Sequence, residues 1–140
     1  MGSMSGEAIS DYDSGACLGL TGAPWETISH MAGTLTHLGW AEYHSSHCMN
    51  PLTFGLEYGE ARLVAANGDE IWLTYTAELI SDFTPPPVVF VYAVDNVVIG
   101  GTGRFENASG QFLSLVFVTI EDFSALSVPV DQEFTGNITF

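Results

Sequence analysis

The strongest constraint on this chain is a run that is apolar on both faces of an extended backbone. In GQFLSLVFVTIEDF, Phe112, Val116, Val118 and Ile120 share one alternation phase, while Leu113, Leu115 and Phe117 share the other. The stretch PVVFVYAVDNVVI has the same habit. A strand of this kind must be covered on both sides. Helices cannot supply the cover, because no segment of useful length holds apolar residues at helical spacing, short possibilities around Gly103 to Ala108 apart. The pattern therefore predicts a barrel wall, one face turned to its own core and the other to a second subunit. A homo-oligomer, trimer or dimer, is expected.

Turn signals fill in the rest. Asn67-Gly68 is the preferred pair for a tight hairpin and lies between β-prone runs at Arg62 to Ala65 and Ile71 to Leu79. Three prolines delay the next strand until Val88 to Val94. ETISHMAGTLTHLGWAEYHS alternates around Ile28, Met31 and Leu35 and reads as one long bent strand or two, with bulges or bends at Gly33 and Gly39. About eight short strands with Gly, Asn or Pro turns give an all-β fold, an eight-stranded antiparallel barrel over residues 25–140. Residues 1–24, rich in Gly, Ser, Asp and Ala, read as a flexible leader that begins with the expression-tag remnant MGSM.

Charge removes whole classes of function. With 17 acidic residues against two arginines and no lysine, the formal net charge is -15. Nucleic acid and anionic membrane are thereby expected non-partners. Schiff-base and P-loop lysine chemistry are excluded outright. No run nears the roughly 20 apolar residues of a spanning helix. Cys17 and Cys48 are too few for a disulfide scaffold; they are either one bridge or two free thiols. The compartment expected is secreted or periplasmic, with cytoplasmic as the alternative.

The glycines of VVIGGTGRFENASGQ invite a phosphate-loop reading, which needs a helix directly after them. Only Arg104 to Gly110 intervenes before the next β-rich run, so a turn anchored by Phe105 is the better account. The thirteen residues IGGTGRFENASGQ resemble the signature turn of dirigent proteins and are similar to the corresponding stretch of plant allene oxide cyclases. With THLG (residues 36–39) and AANGD (residues 65–69), they also resemble small bacterial proteins of the same barrel type. That resemblance implies an eight-stranded barrel, trimers, and an apolar cavity that steers cyclisation or radical coupling of a hydrophobic substrate without a cofactor. The families' catalytic acids have no residue-by-residue match here.

Several residues could carry chemistry. His30, His37, His44 and His47 fall within 18 residues, but zinc needs a further ligand pair and His44 and His47 have opposite strand parity, so no metal is expected. His37, at a bend, reads as a backbone hydrogen-bonding residue or a general base at the barrel mouth. In the arm 71–79, Ile71, Leu73, Tyr75, Ala77 and Leu79 form the better core phase; Trp72, Thr74, Thr76 and Glu78 line a cavity if the other phase points in. The candidate catalytic residues are Glu78, Tyr75 and His37, and the candidate ligand-binding residues Trp40, Trp72, Tyr92, Phe90 and Arg62. The function expected is binding of a small hydrophobic molecule, with cofactor-free cyclisation or isomerisation as the reaction. The alternative is a non-catalytic exported barrel that contacts other proteins.

Overall fold

Each long β-prone run forms a strand, and neighbours in sequence are neighbours in space. The computed structural model describes residues 2–11, 15–22, 25–36, 38–81, 88–121 and 127–136. The strands are β1 (Gly2–Asp11), β2 (Glu26–Leu35), β3 (Gly39–Met49), β4 (Leu56–Ala65), β5 (Glu70–Leu79), β6 (Val88–Gly101), β7 (Gly110–Ile120) and β8 (Ser127–Thr135). All pair antiparallel in chain order, and β1 pairs with both β2 and β8, which closes the barrel and leaves no sheet edge. A four-residue helix α1 (Leu18–Thr21) lies between β1 and β2. Among the described residues, no helix is long and apolar enough to cross a membrane.

One boundary differs from the expectation. Residues 2–11, assigned above to a leader, are the strand that completes the barrel. Its inward side chains are Met4 and Ala8, while Ser3, Ser5 and Glu7 are exposed. Two small apolar contacts are too weak a hydropathy signal, so the strand is held mainly by pairing along both of its edges. The stretch 26–49 is two strands, β2 and β3, rather than one. Cys17 and Cys48 are bridged, which ties the α1 segment to β3.

The glycine cluster is a docking turn. Thr102 N donates to Glu70 O at 2.9 Å, and Glu70 N donates to Thr102 Oγ1 at 2.9 Å. Arg104 N approaches Asp69 Oδ2 at 3.4 Å, so the amides of Thr102 and Arg104 are turned to the Asn67-Gly68 hairpin and not to an anion site. Gly103 has φ 57, and a Cβ there would collide with the Asp69 carboxylate. The 3-10 turn Gly103–Phe105 then places the fully buried Phe105 in the core.

That core fills one end of the barrel. Leu63, Ile71, Leu73 and Phe105 are at most 1% exposed, and Tyr43, Phe112 and Phe134 pack as an aromatic group with centroids 6.0 Å apart. A bulge in β4 shapes the middle: Leu56 pairs with Ala77, yet Gly59 pairs with Tyr75, so β4 carries one extra residue. Tyr58 takes φ 55 there and turns outward. Gly59 turns inward beneath the Tyr75 ring, where an added Cβ would lie 2.5 Å from Cδ2.

Candidate binding site in the barrel lumen

Above the packed end, the inward positions become polar. Ser45 on β3, Asn96 on β6, Ser114 on β7 and Gln132 on β8 are all buried, and with Tyr43 and Tyr75 they form a layer across the barrel. Asn96 Nδ2 and Gln132 Nε2 both donate to Ser114 Oγ, at 3.0 and 2.9 Å. Ser45 hydrogen-bonds Tyr75 and Tyr43, and Gln132 also reaches Tyr43. His47 Nδ1 lies 2.7 Å from the Tyr75 hydroxyl, and either group can donate. Buried polar groups of this kind must be paired or meet a ligand or water. Asn96 Oδ1, Gln132 Oε1 and the Tyr92 hydroxyl have no hydrogen-bond partner among the described residues.

A cavity of about 190 Å³ adjoins this layer and extends toward the ends of β1, β2, β3, β7 and β8. Its walls are mainly apolar, with Met49, Leu56, Phe90, Val116 and Val130 among them, while His47, Tyr92 and Ser29 are polar residues of the lining. A 150 Å³ apolar cavity can hold benzene, so this one suits a molecule of about that size or one end of a longer one. Its volume lies below the range typical of drug-sized pockets. Two larger hollows, of about 640 and 520 Å³, lie on the outside of the wall.

Burial sets the protonation of the site. Loss of hydration lowers the His47 pKa from 6.5 to about 4, so the imidazole is neutral at pH 7. The same cause pushes Tyr92 up to about 12. Tyr75 is raised well above the ordinary phenol value, first by burial and then by the neighbouring Tyr43. Both phenols therefore stay protonated and able to donate. His47 is a weak base, and the neutral His47–Tyr75 pair is better matched to hydrogen bonding than to abstraction of a weakly acidic proton.

The candidate residues divide between the two faces. Tyr75, Tyr92 and Phe90 are buried inside, the last two on the cavity wall. Glu78, Trp40, Trp72 and Arg62 are on the outer face, Trp40 and Trp72 being 59% and 40% exposed. This is a correction for those four as lumen residues. The phase of Ile71, Leu73 and Tyr75 points inward because it buries apolar area, whereas turning Glu78 inward would strand a carboxylate without a cation. Trp72 Nε1 instead donates to Glu70 Oε1 at 3.1 Å, and Arg62 lies 3.7 Å from the same oxygen. His37 lies outside the described residues.

His47, which is not among the candidate catalytic or binding residues read from sequence, lines the cavity. Its signal was parity: it shares a phase with Ala41, Tyr43 and Ser45, all buried. Asn96, Ser114 and Gln132 carried no comparable signal, since an isolated polar residue in a strand normally faces water. No family model, curated protein or solved structure matches the chain.

Proposed function

We propose that the protein binds a small, mainly apolar molecule bearing one carbonyl or hydroxyl group in the hollow end of its barrel. The observation that carries this reading is an apolar cavity lined by Tyr92, whose buried hydroxyl has no hydrogen-bond partner among the described residues. An apolar body would be driven in by burial, and the oxygen would satisfy a group that otherwise lacks a hydrogen bond. If the bound molecule is converted, the matching chemistry is a cofactor-free isomerisation or cyclisation, with the protonated Tyr92 donating to a developing oxyanion and Tyr75 acting only through its contact with His47. The likeness of IGGTGRFENASGQ to the dirigent and allene oxide cyclase turn supports the same class.

Ligand-observed NMR with benzene, cyclohexanone and cyclohexanol tests the proposal. Cyclohexanone and cyclohexanol should bind more tightly than benzene, Tyr92→Phe should erase that preference, and Val130→Phe should fill the cavity and abolish binding of all three. Binding that survives Val130→Phe would place the ligand elsewhere.

A second reading, an exported barrel that contacts proteins, draws on the outer face. Val89, Val97, Ile99 and Leu113 on β6 and β7 are each more than 40% exposed. We propose the homo-oligomer, trimer or dimer, as what covers them, and the secreted or periplasmic compartment as consistent with the Cys17–Cys48 bridge. Native mass spectrometry reads subunit number and any retained ligand together.

A further inference from the structure

The antiparallel register joins three metal-binding side chains that sequence spacing keeps apart. His30 on β2 and His44 on β3 are direct cross-strand partners, and their rings stack with centroids 4.4 Å apart and planes 15° from parallel. Glu42 lies two residues before His44, on the same outer face. His44 Nε2 is 3.6 Å from Glu42 Oε2, and one donor atom from each of the three residues lies within 4.8 Å of the others.

We propose that His30, His44 and Glu42 form a binding site for a borderline divalent transition metal ion such as zinc. Tetrahedral zinc with bonds of about 2.1 Å places its ligand atoms about 3.4 Å apart. The His44–Glu42 separation is already near that value, and His30, an exposed side chain, closes the remainder by rotamer adjustment. Two imidazoles and one carboxylate select zinc, copper or nickel over calcium or magnesium, which prefer all-oxygen sites. The two cysteines are bridged and offer no competing thiolate.

The surroundings suit an open site rather than a closed structural one. Three protein ligands leave a fourth position for water or another small ligand. His30 and His44 form part of the wall of the outer groove of about 640 Å³, which Arg62, Trp72 and Ile99 also line. Arg62 is the cross-strand neighbour of His44, but its guanidinium is drawn to Glu70, 3.7 Å away. The chain's net charge of -15 favours cation approach. The expectation of no metal considered His44 with His47, which do face opposite sides of the wall; His30 is the ligand that pairing supplies.

Calorimetric titration of the full chain, disulfide intact, with zinc chloride tests the site. One saturable site per chain is expected, weakened at least about tenfold by His30→Gln or His44→Gln and less by Glu42→Gln, but unchanged by His47→Gln. Because the three ligands are on the outer face, the His30, His44 and Glu42 variants should melt like the parent in the absence of metal. Histidine-ring NMR provides a second readout, with the His30 and His44 signals shifting together as zinc is added and the His47 signal staying in place. Absence of saturable binding, unchanged binding in the His30→Gln/His44→Gln double variant, or loss on His47→Gln would each overturn the proposal.

Discussion

The two ends of the barrel lumen use the same strands for different purposes. At the end capped by the glycine turn, Leu63, Ile71, Leu73 and Phe105 interlock with almost no exposed surface. At the other, Phe90, Tyr92, Val116 and Val130 surround about 190 Å³ of space. Between them lies the layer of Tyr43, Ser45, Tyr75, Asn96, Ser114 and Gln132. The contrast teaches that tight packing and open space are separated along the barrel axis: one end supplies the packing, so the other can remain hollow.

Substitutions at the two ends should separate this most clearly. Phe105→Ala removes a fully buried ring and should cost about 3–5 kcal/mol in urea unfolding, whereas Val116→Ala, already beside space, should cost about 1 kcal/mol. Equal costs would break the comparison. The hollow end has an external brace instead, because Cys48 adjoins the cavity residues His47 and Met49. Loop entropy over the 31-residue separation predicts a loss of about 3–4 kcal/mol in the Cys17→Ala/Cys48→Ala variant.

Acidity should act through the hollow end. Burial lowers His47 from 6.5 to about 4, so on acidification the unfolded chain takes up this proton before the folded one does. The neutral-state stability is therefore complete above about pH 6.5 and falls toward pH 4, by at most about 3 kcal/mol. Denaturant midpoints measured across that window should slope less in His47→Gln; an unchanged slope would remove His47 from the account. The smallest effect is expected on the outer face, where Glu78→Gln should change stability by less than about 0.5 kcal/mol and leave ligand binding intact. Loss of binding there would mean that the lumen is not the site.

The strand content was legible because alternation, prolines and Asn67-Gly68 are local signals. Gly2–Asp11 was not, since its serines and glycines give little periodicity and its closing partner, β8, lies at the far end of the chain. Within β5, the inward phase was readable from Ile71, Leu73 and Tyr75, which placed Tyr75 correctly. Trp40 and Trp72 misled because large aromatic size suggests burial, although a barrel wall has an outer face where an indole can lie against its neighbours. The His47–Tyr75 contact joins residues 28 apart in the chain, and no spacing rule anticipates it.

By itself, the sequence determined an all-β barrel wall, the hairpin at Asn67-Gly68, the anchoring of Phe105 and the exclusion of lysine chemistry. These follow from local periodicity, turn preference and composition. Only the tertiary structure decided that β1 closes the barrel, that Glu78 faces outward while His47 faces inward, that one end is hollow, and that His30 stacks on His44. The physical reason is register: cross-strand pairing chooses which distant side chains share a face, and a one-residue slip would send each of them to the opposite side.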